Sequence, residues 1–123
     1  MKKIIYILIA LLLVGGVAFL IMSPAKAGKY DALAQCIKDS GAKFYGAFWC
    51  PHCQAQKARF GASAHLLPYI ECSTPDGQGQ TQVCKDAGII SYPTWQFANS
   101  TTTDRGEKEL VDLAQKTSCK LPQ

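Results

Sequence analysis

Lys43-Phe44-Tyr45-Gly46-Ala47-Phe48-Trp49-Cys50-Pro51-His52-Cys53 is the stretch on which the reading turns. Ala42 to Trp49 is a short, mostly apolar aromatic run, which suits a strand buried on both faces. Helical character starts after Cys50, with Pro51 tolerated in a first helical turn. A cysteine where a strand meets a helix faces orphan amides and the positive end of the helix dipole, and both favour its thiolate. Cys53 follows within one helical turn, so the two cysteines are close enough to exchange a disulfide. His52 adds a positive charge or a donor beside them. A stabilised thiolate stabilises the reduced form and makes the oxidised form the stronger oxidant. Three plainer readings stand beside this one. Cys50 and Cys53 could be half of a zinc site, although eleven residues separate Cys72 from Cys84 and no second closely spaced pair exists. They could be a purely structural bridge, and His52 could be an exposed bystander.

Working outward, Gly28 to Lys38 reads as a helix, with Tyr30, Leu33, Ala34 and Ile37 at helical spacing. Asp39-Ser40-Gly41 ends it, the glycine suiting a C-cap. Beyond the motif, Gln54 to Phe60 reads as a solvated helix and Leu67 to Cys72 as a second short strand. Ser73 to Gln80 is a polar loop. Thr81 to Ala87 is a short helix stopped by Gly88. Thr94 to Phe97, β-branched and aromatic, is a strand, and Thr101 to Thr103 returns as an edge strand. Asp104 with Glu107 resembles a helix start, ahead of the apolar stripe Leu110, Val111, Leu113 and Ala114. The order α-β-α-β-α-β-β-α implies an α/β sheet with helices on both faces.

The chain has 123 residues, a formal net charge of +4 and six cysteines, which is room for one folded domain. Its averages mix two segments. Lys2 and Lys3 precede Ile4 to Met22, which carries no charge and would span roughly 28 Å as a helix, close to a hydrocarbon core. Residues 1–27 are therefore expected to be a membrane anchor through residues 4–22, or an export signal cleaved after Ala25-Lys26-Ala27. Residues 28–123, the expected folded domain, hold ten basic and nine acidic residues. That near-neutral balance leaves no basic run and argues against a nucleic-acid partner. The cysteine content fits an oxidising compartment, so the domain is expected to face the periplasm or cell exterior.

Ser91-Tyr92-Pro93-Thr94 is the second signal. A proline opening a strand often marks a cis bond; the alternative is an ordinary trans turn proline. A cis-proline facing the dithiol would leave the backbone of Tyr92 free to pair with an extended substrate. Trp49 either rims that groove or simply packs.

Phe48-Trp49-Cys50-Pro51-His52-Cys53 followed by Tyr92-Pro93-Thr94 resembles the thioredoxin superfamily. The wider string adds Lys43 to Ala47, Leu67-Pro68-Tyr69-Ile70-Glu71-Cys72, Cys84 and Ser91 to Trp95. It resembles the thioredoxin-like domain fused to bacterial and plant vitamin K epoxide reductase homologues, over about residues 30–119. The resemblance implies a thioredoxin-like fold, a central mixed sheet flanked by helices. It makes Cys50 the exposed nucleophile, Cys53 the buried resolving thiol, Pro93 the cis-proline, and Cys72 and Cys84 a second cysteine pair. It implies protein thiols as substrates. The expected electron partner is a membrane-embedded reductase of that type, passing electrons to quinone, or a Dsb-type oxidase, whose relatives share the Pro-His dipeptide. No cofactor or metal is implied, since the redox unit is the Cys50–Cys53 disulfide itself.

Two departures stand out. The sequence has one hydrophobic span, so the four-helix reductase domain is expected on another chain. Thioredoxins usually bury a carboxylate on the strand before the motif, and Phe44 falls there, so proton transfer at Cys53 needs another route. With Cys72 and Cys84 assigned by resemblance, as a brace or as a relay pair, Cys36 and Cys119 remain, either paired across the domain ends or as free thiols. His65 reads as a structural or surface histidine, and the Asn99-Ser100-Thr101 sequon carries no role. The leading functional expectation is a disulfide oxidase or isomerase for exported proteins. The alternatives are a tethered thiol reductase, for instance for apocytochrome cysteines, and a non-catalytic module binding clients or copper.

Overall fold

The computed structural model describes residues 1–22 and 26–123, with the side chains of residues 19–22 left aside. Helix α1 (Lys2–Met22) occupies the N-terminal stretch. Among the described residues no helix is long and apolar enough to cross a membrane, so the span expected over residues 4–22 draws no support there. Ala25 of the expected cleavage triplet lies outside the described residues.

The folded part runs α2 (Asp31–Asp39), β1 (Lys43–Gly46), α3 (Pro51–Phe60), a 3-10 turn (Gly61–Leu66), β2 (Tyr69–Glu71), α4 (Gln82–Asp86), β3 (Thr94–Gln96), β4 (Thr103–Arg105) and α5 (Leu110–Thr117). The strand order is β2-β1-β3-β4. β1 pairs parallel with β2 and antiparallel with β3, and β3 pairs antiparallel with β4. This four-stranded mixed sheet flanked by helices fits a thioredoxin-like fold.

Register explains the core. Phe44 stands opposite Tyr69 on one neighbour and Trp95 on the other, so the three rings share one face of the sheet. Phe44 stacks on Trp95 at 4.6 Å and meets Tyr69 edge-on at 5.2 Å. Each such pair adds roughly 0.5–1.5 kcal/mol beyond the area it buries. Leu33, Ala34 and Ile37 of α2, Phe60 of α3, and Leu113 and Ala114 of α5 close over Phe44 and Trp95. Tyr45, the next residue along β1, points to the other face and packs with Cys72, Cys84 and Ile89.

Several elements differ from expectation. The strand expected over Ala42–Trp49 stops at Gly46, and Phe48 and Trp49, about half exposed, belong to the turn beyond it. Helix α3 contains Gln56, expected on a solvated face yet fully buried. Its amide bonds the backbone of Lys108 as another peptide would, donating from Nε2 to the carbonyl and accepting the N–H at Oε1. The 3-10 turn after Gly61 was not expected. It buries Ser63, whose Oγ accepts the Tyr30 N–H at 3.0 Å. The edge strand lies two residues later than expected. Asp104 belongs to it, and α5 starts only after Glu109.

Two disulfides brace the fold, Cys36–Cys119 and Cys72–Cys84. Ser118 takes a left-handed conformation (φ 56°) at the end of α5, and the Cys119 N–H returns to the Ala114 carbonyl at 2.8 Å. That reversal delivers Cys119 to Cys36 on α2. Removing the pair as Cys36→Ala with Cys119→Ala should lower the unfolding free energy by roughly 4–5 kcal/mol, and removing Cys72–Cys84 by about 3 kcal/mol. Denaturant midpoints of the two double variants check the order.

Candidate functional site

The site is built where β1 gives way to α3. Cys50 takes the N-cap position in extended conformation, and Pro51 fills the first helical turn, where its missing N–H costs nothing. The Cys50 N–H closes the turn on the Ala47 carbonyl at 3.0 Å, and Gln54 Nε2 donates to the Phe48 carbonyl at 2.7 Å. Cys50 and Cys53 are both free thiols. Cys50 retains 5% exposure and Cys53 none. The resemblance made Cys50 an exposed thiol; the structure buries both, with Cys50 only slightly shallower than Cys53.

Gly46 makes room for this arrangement. A Cβ there would lie 2.7 Å from the Tyr69 ring and 3.0 Å from Cys53 Sγ. Burial pushes the Cys53 thiol up to about 12, with further upward contributions from the Cys50 thiol. The Ala47 backbone hydrogen bond and the Lys57 charge oppose that shift. Phe44 fills the position expected to want a carboxylate and is fully buried, and polar groups stand instead on the neighbouring helix and strand. Lys57 Nζ sits 3.4 Å above the Tyr69 ring, and the Tyr69 hydroxyl donates to Glu71 Oε2 at 2.8 Å. Burial first, then Glu71, raises the Tyr69 hydroxyl well above its ordinary value. Glu71 Oε1 also accepts the N–H groups of Phe48 and Ser73 at 3.2 and 2.9 Å, tying the turn before Cys50 to the loop after β2. Sequence reasoning missed Lys57, Tyr69 and Glu71. The i,i+4 spacing of Cys53 and Lys57 was the available signal.

The Tyr92–Pro93 bond is cis, and the Tyr92 carbonyl lies 3.7 Å from Cys50 Sγ. Trp49 meets Tyr92 edge-on at 6.0 Å. The structure thus brings Trp49, Cys50, Cys53, Tyr92 and Pro93 together. His52 turns elsewhere. Its Nδ1 lies 2.8 Å from Glu107 Oε1, and Glu107 also pairs with Arg59, which reaches Glu109. The hydrogen bond from His52, aided by Arg59, holds the Glu107 carboxyl below its usual range. Glu107, expected near a helix start, instead anchors the histidine of the motif. Cys72 and Cys84 are fully buried in their disulfide. His65 is exposed, with Nδ1 2.8 Å from the Ala62 carbonyl. Among the described residues no group of three or more His, Cys, Asp or Glu is placed to hold a metal.

No family model matches the chain. Over 97 residues it is 43% identical to the thiol-disulfide oxidoreductase LTO1 of Arabidopsis thaliana, a match covering 75% of this chain and 25% of that protein. The chain therefore spans about a quarter of the length of the curated relative it matches.

Two outcomes test the site. Gly46→Ala should destabilise the protein by about 1–3 kcal/mol, because the added methyl forces the Tyr69 ring or the Cys53 sulfur aside; a denaturant titration reads it. In the reduced protein an unfolded Cys53 loses its proton near 9.0 while the folded one holds it to about 12. The native state then binds more protons in that window, so stability is complete below it and is lost as pH rises through it. The denaturation midpoint should fall less steeply over that range in Cys53→Ala than in the reduced parent.

Proposed function

We propose, with the 43% identical oxidoreductase LTO1 as the point of departure, that this chain is a thiol–disulfide oxidoreductase acting through Cys50 and Cys53. The observation that carries the reading is the pairing of a shallow and a deep thiol one helical turn apart. The shallower one occupies the N-cap position of α3, and its sulfur lies 3.7 Å from the Tyr92 carbonyl. An incoming cysteine segment can pair with the backbone beside Pro93 while its sulfur meets Cys50.

In the oxidising direction a client thiolate attacks Cys50 of the Cys50–Cys53 disulfide. A client–Cys50 bond forms and Cys53 leaves as thiolate, taking up a proton. A second client thiolate attacks the client sulfur of that bond and releases Cys50. The client loses two electrons and forms its disulfide, and the dithiol gains them. A membrane oxidase of the vitamin K epoxide reductase or Dsb type then removes those electrons and restores the bridge. In the reverse direction the Cys50 thiolate attacks a client disulfide and Cys53 resolves the mixed species. Burial favours the protonated form of Cys53 in the reduced pair, which supports leaving the first contact with a client to Cys50. The domain is placed outside the cytoplasm, tethered by or released from residues 1–27. Its clients are exported proteins. Two braces, the part-exposed Cys36–Cys119 and the buried Cys72–Cys84, suit that oxidising setting.

Cys53→Ser should accumulate client proteins disulfide-linked to Cys50, and Cys50→Ser should abolish exchange; non-reducing electrophoresis reads both. Client disulfide formation unchanged in Cys50→Ser would overturn the reading. A redox titration with alkylation fixes the direction. A potential near −120 mV marks an oxidant, and one near −270 mV a reductase.

A further inference from the structure

The loop between the buried cysteines 72 and 84 is wired to the two aromatics beside Cys50. Ser73 and Gln80 face each other across its base as an antiparallel bridge, and each reaches one aromatic. Trp49 Nε1 donates to Ser73 Oγ at 2.9 Å, and Ser73 passes its own proton on to the Thr74 carbonyl at 3.0 Å. Gln80 Nε2 donates to the Tyr92 hydroxyl and to the Ile89 carbonyl, both at 2.8 Å. Ser73 is 4% exposed while the indole is about half exposed, so their bond is part-buried. Glu71 completes the frame by holding the Ser73 and Phe48 N–H groups on one oxygen.

Trp49 and Tyr92 are the side chains that meet edge-on next to Cys50. Without these partners the half-exposed indole is free to rotate, and the Tyr92 ring loses the polar contact that orients it. Backbone bonds hold Ser73 beside the motif, the Cys72 N–H donating to the Gly46 carbonyl and the Thr81 N–H to the Cys72 carbonyl, and the Cys72–Cys84 bond closes the loop behind them. We propose that Ser73 and Gln80 are positioning residues that fix Trp49 and Tyr92, and that the loop closed by Cys72–Cys84 thereby forms the wall selecting what flanks a client cysteine. The ligand class is an extended polypeptide segment with apolar or aromatic side chains next to its cysteine. The wall acts on client binding and not on the sulfur chemistry. This inference rests on the exchange reading of Cys50.

The test measures oxidation of reduced, unfolded ribonuclease A by the oxidised protein, with glutathione disulfide as re-oxidant. Ser73→Ala should raise KM for the client about fivefold, the factor carried by one neutral hydrogen bond, while kcat holds. Ser73→Thr keeps the hydroxyl and should restore the parent KM. Trp49→Phe removes the indole N–H, so adding Ser73→Ala to it should raise KM no further. Gln80→Ala should likewise add nothing to Tyr92→Phe. A Ser73→Ala effect of equal size in the Trp49→Phe background, or a fall in kcat matching the rise in KM, would overturn the inference. Unmoved KM in both single variants, with glutathione exchange intact in the parent protein, would overturn it alone. A parent inert towards glutathione and client alike would overturn the exchange reading, and this inference with it.

Discussion

One vacancy governs the molecule: the absent side chain of Gly46. Cys53 Sγ and the Tyr69 ring both occupy the space a Cβ would claim. Because that space is free, β1 can stop at Gly46, the chain can turn through Ala47, and α3 can bring its first turn down onto the sheet. The burial of Cys53 follows, and with it the raised thiol. So does the placement of Cys50 at the helix start, where the residue keeps a small residual exposure.

The two faces of the sheet divide the work. On one, Phe44, Tyr69 and Trp95 stand in register and give α2, α3 and α5 an aromatic floor. On the other, Tyr45 packs against the Cys72–Cys84 bond and Ile89. Phe44 contributes bulk where a carboxylate would have been a charge in the core, unpaired unless a partner were buried with it. The polar equipment near Cys53 is instead at the margin of the aromatic floor, where Lys57, Tyr69 and Glu71 meet.

Much of this was written locally. Pro51 after Cys50 announces a first helical turn, and the cysteine spacing announces the dithiol. The stripe Leu33, Ala34, Ile37 marks the inner face of α2. What local pattern could not convey was long-range partnership. Phe48 and Trp49 have strand-forming side chains, yet tertiary geometry takes them out of the sheet. Gln56 looks solvated because its partner, the backbone of Lys108, is 52 residues away. Glu107 mimics a helix start, but its carboxylate is taken by His52 and Arg59. The 3-10 turn at Gly61–Leu66 has no hydrophobic period of its own, and Ser63 within it matters only through Tyr30.

The covalent links between distant cysteines have a topological meaning. Cys36–Cys119 closes a ring that encloses all four strands, and Cys72–Cys84 closes a smaller ring inside it. Exposed loop tips such as Asn99 and Gln78 are where proteases cut. A single cut at either place opens a ring without releasing a fragment, because both new ends stay joined through sulfur. A nicked copy therefore remains one molecule with its strands still attached, able to re-form its pairing without having to find a lost partner. A cut that would otherwise split the molecule in two leaves it whole.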